Sequence, residues 1–222
     1  MSRAFLVALL LPAAASAAGW EGFYAGAQGG YAHARSTWAT SAFLIASNND
    51  EKIEHQASGG AFGGQFGYWS RRSPQVLIGV EATLLYAKLE ERGPSPLPQA
   101  PNRERITRIK TPASLVAQAG YQSADWLTYG KAGLAAARIE LEANNNNPGG
   151  ITMSWSGLAY GLTAGAGVSR ALGRNLSAGI EYDFLWLRMR DRSGNNSGNI
   201  YVTAADFDSR INLLALRLNY SF

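Results

Sequence analysis

A chain of 222 residues with a formal net charge of +4 and no cysteine is long enough for one sizeable domain and holds together without disulfides. Its 20 Lys and Arg are scattered along the chain, so the pI of 9.4 does not mark a nucleic-acid binder with its clustered basic stripe. The 25 glycines and 11% aromatic residues point to closely packed backbone and a narrow interior rather than to soluble helices.

The N-terminus reads as a segment outside the fold. Met1-Ser2-Arg3 gives one positive charge, Ala4 to Leu11 is apolar, and small residues lead to Ala15-Ser16-Ala17. That order matches a secretory signal with an A-x-A cleavage site. The apolar run is too short for a membrane anchor, which takes about 20 residues. Residues 1–17 are therefore expected to be a signal peptide, and 18–222 one exported domain beginning at Ala18.

Beyond Ala18 no segment carries a helical stripe, and most of the chain alternates with period two. Strands are predicted at 22–34, 56–70, 75–90, 105–122, 126–142, 151–170, 176–190 and 205–222. In the second, Phe62, Phe66 and Tyr68 oppose Gly63, Gln65 and Gly67. In the third, Val76, Ile78, Val80, Ala82, Leu84 and Tyr86 oppose Gly79, Glu81 and Thr83. The sixth carries Gly157, Gly161 and Gly165, a spacing that also suits a membrane helix dimer. Leu158, Tyr160, Leu162, Ala164, Ala166 and Val168 alternate with Gly, Thr and Ser there, which favours a strand. In the seventh, Leu176, Ala178, Ile180, Tyr182, Phe184 and Trp186 oppose Ser177, Gly179, Glu181 and Asp183. In the eighth, Leu214, Leu216, Leu218, Tyr220 and Phe222 oppose Leu213, Ala215, Arg217, Asn219 and Ser221.

The greasy face carries the large residues, and the other face carries small ones, Gln and a few charges. A narrow polar lumen inside an apolar wall is the arrangement of a membrane barrel. The links fit as well. Long hydrophilic ones at 35–55, 91–104, 143–150 and 191–204 alternate with short ones at 71–74, 123–125 and 171–175. The predicted fold is an all-β, eight-stranded antiparallel up-and-down transmembrane β-barrel. Its long loops are extracellular, its termini periplasmic, and no second domain is expected.

The residues that carry these patterns are familiar. Trp20-x-Gly22-Phe23-Tyr24-x-Gly26-x-x-x-Gly30-Tyr31 resembles the first strand of the small outer-membrane surface-antigen barrels of Gram-negative bacteria. These are porin-like in name and similar in architecture to the OmpA transmembrane domain. Tyr129-Gly130-Lys131-x-Gly133 and Gly179-x-Glu181-Tyr182-x-Phe184 resemble the fifth and seventh strands. Phe222, with Tyr220, Leu218, Leu216 and Leu214 before it, resembles the family's assembly signal. The resemblance implies that the barrel-assembly machinery reads that signal and that the protein sits in the outer membrane, among lipid and lipopolysaccharide. The long first loop and the proline-rich second loop depart from the family pattern, so no specific ligand is implied, although a host or environmental ligand at the loops fits.

Chemistry is sparse. His33 and His55 flank the first long link and read as exposed polar residues rather than a metal site or base. Asp206 and Asp208, with Asp183, read as solvated rim charges rather than catalytic acids. There is no H-E-x-x-H, G-x-S-x-G or phosphate loop. No cofactor, metal or nucleic acid is expected. By parity Glu81, Lys131, Glu181 and Arg217 face inward with Gln28, Gln65 and Gln118. Buried charges must be paired. Two acids against two bases read as a paired polar core, with Arg217 and Glu181 as the direct pair, or alternatively as the constriction of a pore. The function expected is a non-catalytic structural and surface-interaction barrel, largely plugged. The alternatives are a narrow porin-like pore for small solutes and, more distantly, an outer-membrane lipid-modifying enzyme.

Overall fold

The computed structural model describes residues 19–42, 51–94, 103–145, 153–191 and 202–222. The signal segment and the link centres at 43–50, 95–102, 146–152 and 192–201 lie outside the described residues. Eight antiparallel strands, β1 (Gly22–Ala42), β2 (Glu51–Arg71), β3 (Val76–Pro94), β4 (Arg103–Ser123), β5 (Trp126–Asn145), β6 (Met153–Ala171), β7 (Leu176–Asp191) and β8 (Val202–Ser221), form one closed barrel. Each strand pairs with its sequence neighbour. β1 closes on β8 with Gln28 opposite Arg217 and Tyr31 opposite Leu214. Closure leaves no edge strand to be satisfied by lipid, which cannot hydrogen-bond.

Several strands run further than alternation predicted, and at the top of the barrel the hairpins consume much of the links. β1 and β2 pair as far as Thr40 opposite Glu51. His33 and His55 therefore sit on paired strands inside the first hairpin, opposite Ser58 and Ser36. Alternation is hard to see there because the inward residues of β1 and β2 are small, Ala32, Ala34, Ser36 and Ala57, rather than large.

The wall divides into two zones. In the lower zone the outward residues are apolar, with Leu115, Leu134, Leu162, Ile180, Leu216 and Leu218 exposed between two aromatic rings. Phe23, Tyr68, Tyr121, Trp126, Tyr220 and Phe222 form the ring at the short turns. Tyr31, Phe62, Tyr86 and Tyr160 form the upper ring. Phe23 and Tyr31 are eight residues apart on β1, about 20 Å along the axis of a barrel whose strands tilt by about 40°. That is close to the roughly 25 Å apolar band of outer-membrane barrels.

Above the upper ring the polarity inverts. Arg35, Arg138, Arg188 and Arg210 face outward, while Leu85, Leu89, Ile109, Ile139, Leu185, Leu187, Met189, Phe207, Ile211 and Leu213 are buried inside. This corrects the expectation of an interior lined by small and polar residues throughout. The upper half is an ordinary barrel with an apolar core, set on a membrane barrel with a polar one. In β4 the switch coincides with an irregularity. Register breaks between Lys110 and Ala113 against β5, and between Leu84 and Lys88 against β3. Thr111 adopts φ 51° there, and Pro112, which has no N–H to give the ladder, occupies the bulge. The shift brings Ile109 inward above the bulge while Val116 and Gln118 remain inward below it.

Candidate functional site

The lumen is occupied in three layers. Nearest the short turns, Trp20, Tyr24, Trp69, Leu77, Leu127 and Tyr129 pack as one buried cluster, with the Trp69 and Tyr129 rings edge-on at 6.0 Å. The upper apolar core fills the opposite end. Between them lies the charged layer, where Glu81, Lys131, Glu181 and Arg217 meet, each at most 6% exposed.

Arg217, on β8, forks between strands. It donates to Glu81 on β3 and to Glu181 on β7, and its Nη1 also reaches the Tyr129 hydroxyl at 3.2 Å. Lys131, on β5, donates to Glu181 Oε1 at 2.7 Å and to Glu81 Oε1 at 3.3 Å. Both cations thus touch both glutamates, where the adjacency of the seventh and eighth strands singled out Arg217 and Glu181. A planar guanidinium suits such bidentate bridging between carboxylates.

Three residues of this layer were misjudged or missed from sequence. Asp183 is not a rim charge. It is buried on β7, with Oδ1 3.1 Å from Lys131 Nζ. Parity puts it on the inward face, although it reads with Asp206 and Asp208 as a solvated rim charge; it lies two residues from Glu181 on the same inward face of β7, in the middle of the strand. Carboxylates therefore outnumber cations: three, Glu81, Glu181 and Asp183, face two cations. Tyr24 and Tyr129 were taken only as marks of strand identity. Their hydroxyls donate to Glu81 Oε2 at 2.6 Å and Glu181 Oε2 at 2.8 Å.

A repeat in the sequence hints at the two tyrosines, though not at Asp183, which stands where the first half has Thr83. Tyr24 on β1, Gly67 on β2 and Glu81 on β3 recur as Tyr129 on β5, Gly167 on β6 and Glu181 on β7. The short-turn hairpins align at an offset of 100, Gly79-Val80-Glu81 with Gly179-Ile180-Glu181. Each glycine makes room for a ring. A Cβ at Gly67 would fall 2.7 Å from Tyr24 Cε1, and one at Gly167 would fall 2.6 Å from Tyr129 Cζ. The tyrosines can therefore lie against the wall and reach their glutamates. The fourth position differs between halves. On β4, Gln118 donates to the Tyr24 hydroxyl at 2.8 Å; on β8, Arg217 takes the corresponding place.

The glutamines edge this layer. Gln65 Nε2 donates to Asn219 Oδ1 at 2.7 Å. Both side-chain atoms of Gln28, and the Oε1 atoms of Gln65 and Gln118, are buried without a hydrogen-bond partner in the protein. The remaining candidates do not converge. His33 Nδ1 lies 2.8 Å from Ser58 Oγ on the outer wall. Asp208 accepts from Trp186 Nε1 and Arg188 Nε, each at 2.9 Å, also outside. The side chains of His55 and Asp206 lie outside the described residues. Among the described residues no three His, Cys, Asp or Glu gather as a metal site. The C-terminal residues Leu214, Leu216, Leu218, Tyr220 and Phe222 line the outer wall of β8, all exposed. The Phe222 amide donates to the Phe23 carbonyl at 3.0 Å and completes the seam with β1.

Comparison with known proteins gives a consistent picture. The family model described as the outer membrane protein beta-barrel domain matches residues 4–222. No curated protein matches the chain. Among solved structures, the outer membrane protease OmpT of Escherichia coli is similar with a TM-score of 0.60 at 10% identity, over 90% of this chain and 97% of that one. The outer membrane protein OprG of Pseudomonas aeruginosa gives 0.54 at 13% identity, over 91% and 96%. Neisserial surface protein A gives 0.45 at 16%, over 91% and 98%. For the first two the likeness is one of fold, and at these identities it carries no chemistry.

Proposed function

This chain belongs to the outer membrane protein β-barrel domain family, and from that premise we propose that it is a non-catalytic outer-membrane barrel with a structural and surface-interaction role. In this reading the barrel is a plugged support for its extracellular loops. The observation that carries it is the filling of the lumen. An apolar layer, a layer of mutually bonded charges and an aromatic layer succeed one another across an eight-stranded barrel, whose interior is only wide enough for side chains to fill. A conducting constriction instead needs charges that face water and exchange ions. Here the four charged side chains bond to one another and to tyrosines.

The same reading gives the ends their roles. Residues 1–17 direct export and are removed, and Leu214, Leu216, Leu218, Tyr220 and Phe222 are read by the barrel-assembly machinery. A host or environmental ligand would meet the protein at the loops. Planar-bilayer recording of the purified protein tests the plug. The expected result is no stable open state. Long-lived, charge-sensitive conductance would establish the narrow pore instead.

A further inference from the structure

The three residues before β1 do more than lead into it. Gly19, Trp20 and Glu21 precede the first strand, which begins at Gly22, yet Trp20 is only 6% exposed. Its side chain packs with Trp69, Leu77, Leu127 and Tyr129 at the short-turn end of the lumen, so the segment folds back over the mouth. Gly22 makes the reversal. Its φ is 109°, a left-handed conformation that side chains with a Cβ rarely adopt and glycine reaches without steric cost.

The neighbours of the segment mark its path. A Cβ at Gly19 would stand 3.7 Å from the Arg174 carbonyl oxygen, in the turn between β6 and β7. Glu21 Oε2 stands 3.6 Å from Arg71 Nε, where β2 ends. Arg71 is itself fixed, donating to the Pro74 carbonyl and to Gln122 Oε1, each at 2.9 Å. The segment thus reaches from the β6–β7 turn to the β2–β3 turn, with Trp20 between them pointing into the lumen.

Little holds it there. Among the described residues no main-chain hydrogen bond ties Gly19, Trp20 or Glu21 to the wall. The Glu21–Arg71 pair is partly exposed, and exposed pairs contribute little. The Trp20 Nε1–H is buried without an acceptor in the protein, which offsets part of what burying the ring contributes. A segment outside the ladder, turned on one glycine and held chiefly by one side chain, opens at far lower cost than the barrel itself. Directly beneath Trp20 lies the aromatic layer. The upper apolar core closes the other end of the lumen.

We propose that Gly19–Glu21 is a hinged lid on the periplasmic mouth of the barrel. Trp20 is its seal, Gly22 its hinge and Arg71 its latch, and it opens while the barrel stays folded. The lid governs access to the aromatic layer from the periplasm. That access is measured separately from conductance, so a failure here leaves the plugged reading of the lumen standing.

The chain has no cysteine, so a single introduced thiol reports access without background. Leu77→Cys lies beneath the lid and Leu213→Cys in the upper core, both at positions no more than 3% exposed. The full-length outer-membrane form, purified in detergent, is treated with a charged methanethiosulfonate, and modification is followed by intact mass. Folding of each variant is checked by heat-modifiable gel mobility. With the lid unaltered, the thiol at position 77 is expected to react far more slowly than in urea-unfolded protein. Trp20→Gly should raise that rate at least about tenfold, because modification follows the open population. Gly22→Val should raise it as well, and Glu21→Gln by less. The thiol at position 213 should stay protected in every background. Should Leu77→Cys fold poorly, Leu127→Cys, 1% exposed in the same cluster, takes its place. An unchanged rate in both Trp20→Gly and Gly22→Val overturns the proposal. So does an equal rise at position 213, since the whole barrel would then have loosened, or a rate with the lid unaltered that matches unfolded protein.

Discussion

Arg217→Met is the sharpest perturbation of the charged layer. In the wild type three carboxylates face two cations, an excess of one carboxylate. The variant leaves Glu81, Glu181 and Asp183 with Lys131 alone, an excess of two. It also takes a donor from Tyr129. Removing one partner of a buried pair costs about 3–5 kcal/mol. Because this guanidinium serves two buried glutamates, the upper part of that range, about 4–5 kcal/mol, is expected. Charge counting then ranks the companions. Arg217→Met with Glu181→Met returns the excess to one and should cost less than Arg217→Met alone. Asp183→Asn brings the layer to two against two and should be neutral or stabilising, by about 1 kcal/mol. Reversible urea unfolding in lipid vesicles, followed by tryptophan fluorescence and gel mobility, gives the order. A loss below about 1 kcal/mol for Arg217→Met, the scale of a solvated ion pair, would refute the reasoning, as would a double variant less stable than the single.

Leu216→Arg puts a charge on the lipid face at an exposed mid-band position and should cost about 2–4 kcal/mol in the same titration. Ala215→Arg has no room in the packed interior, where Ala215 is 3% exposed, and should prevent folding. Leu216→Arg proving the more damaging of the two would mean that the faces are reversed. Gly67→Ala sets a methyl against the Tyr24 ring and should destabilise by about 1–3 kcal/mol, with Tyr24→Leu, Gly67→Ala recovering part of it. Phe222→Ala should lower the amount reaching the outer membrane and leave unfolded protein in the periplasm, scored by cell fractionation. Intact mass of the outer-membrane form should correspond to an N-terminus at Ala18.

Much of the lower half was legible in sequence because both signals there are strong. Outward Leu, Ile and Tyr alternate with inward Gly, Gln and charge, so one slip of register would bury arginine in lipid. The upper half was harder. Past Tyr31, Tyr86 and Trp186 the apolar residues change sides, and a reader following Leu214 and Leu216 does not expect Phe207 and Ile211 to point inward. The bulge at Thr111 and Pro112 compounds this in β4, because parity counted from Gln118 gives the wrong face above it. In the charged layer parity placed the four ions and the glutamines. It gave no account of Tyr24 and Tyr129, whose roles come from glycines on neighbouring strands. Those contacts are fixed across the lumen rather than along the chain, and only the offset between Glu81 and Glu181 hints at them.

The second, apolar core has a consequence for reach. A strand of 21 residues such as β1 spans about 50 Å of axis at the usual rise and tilt, and the apolar band takes about half of that. The loop ends carried by β1 and β2, each 21 residues long, therefore leave the barrel some 25 Å beyond the hydrocarbon, beside a core stiffened by Phe207, Leu187 and their neighbours. A soluble macromolecule can engage them without descending into the sugar layer around the barrel. The loops themselves can lengthen, shorten or change sequence without transmitting strain to the charged layer beneath.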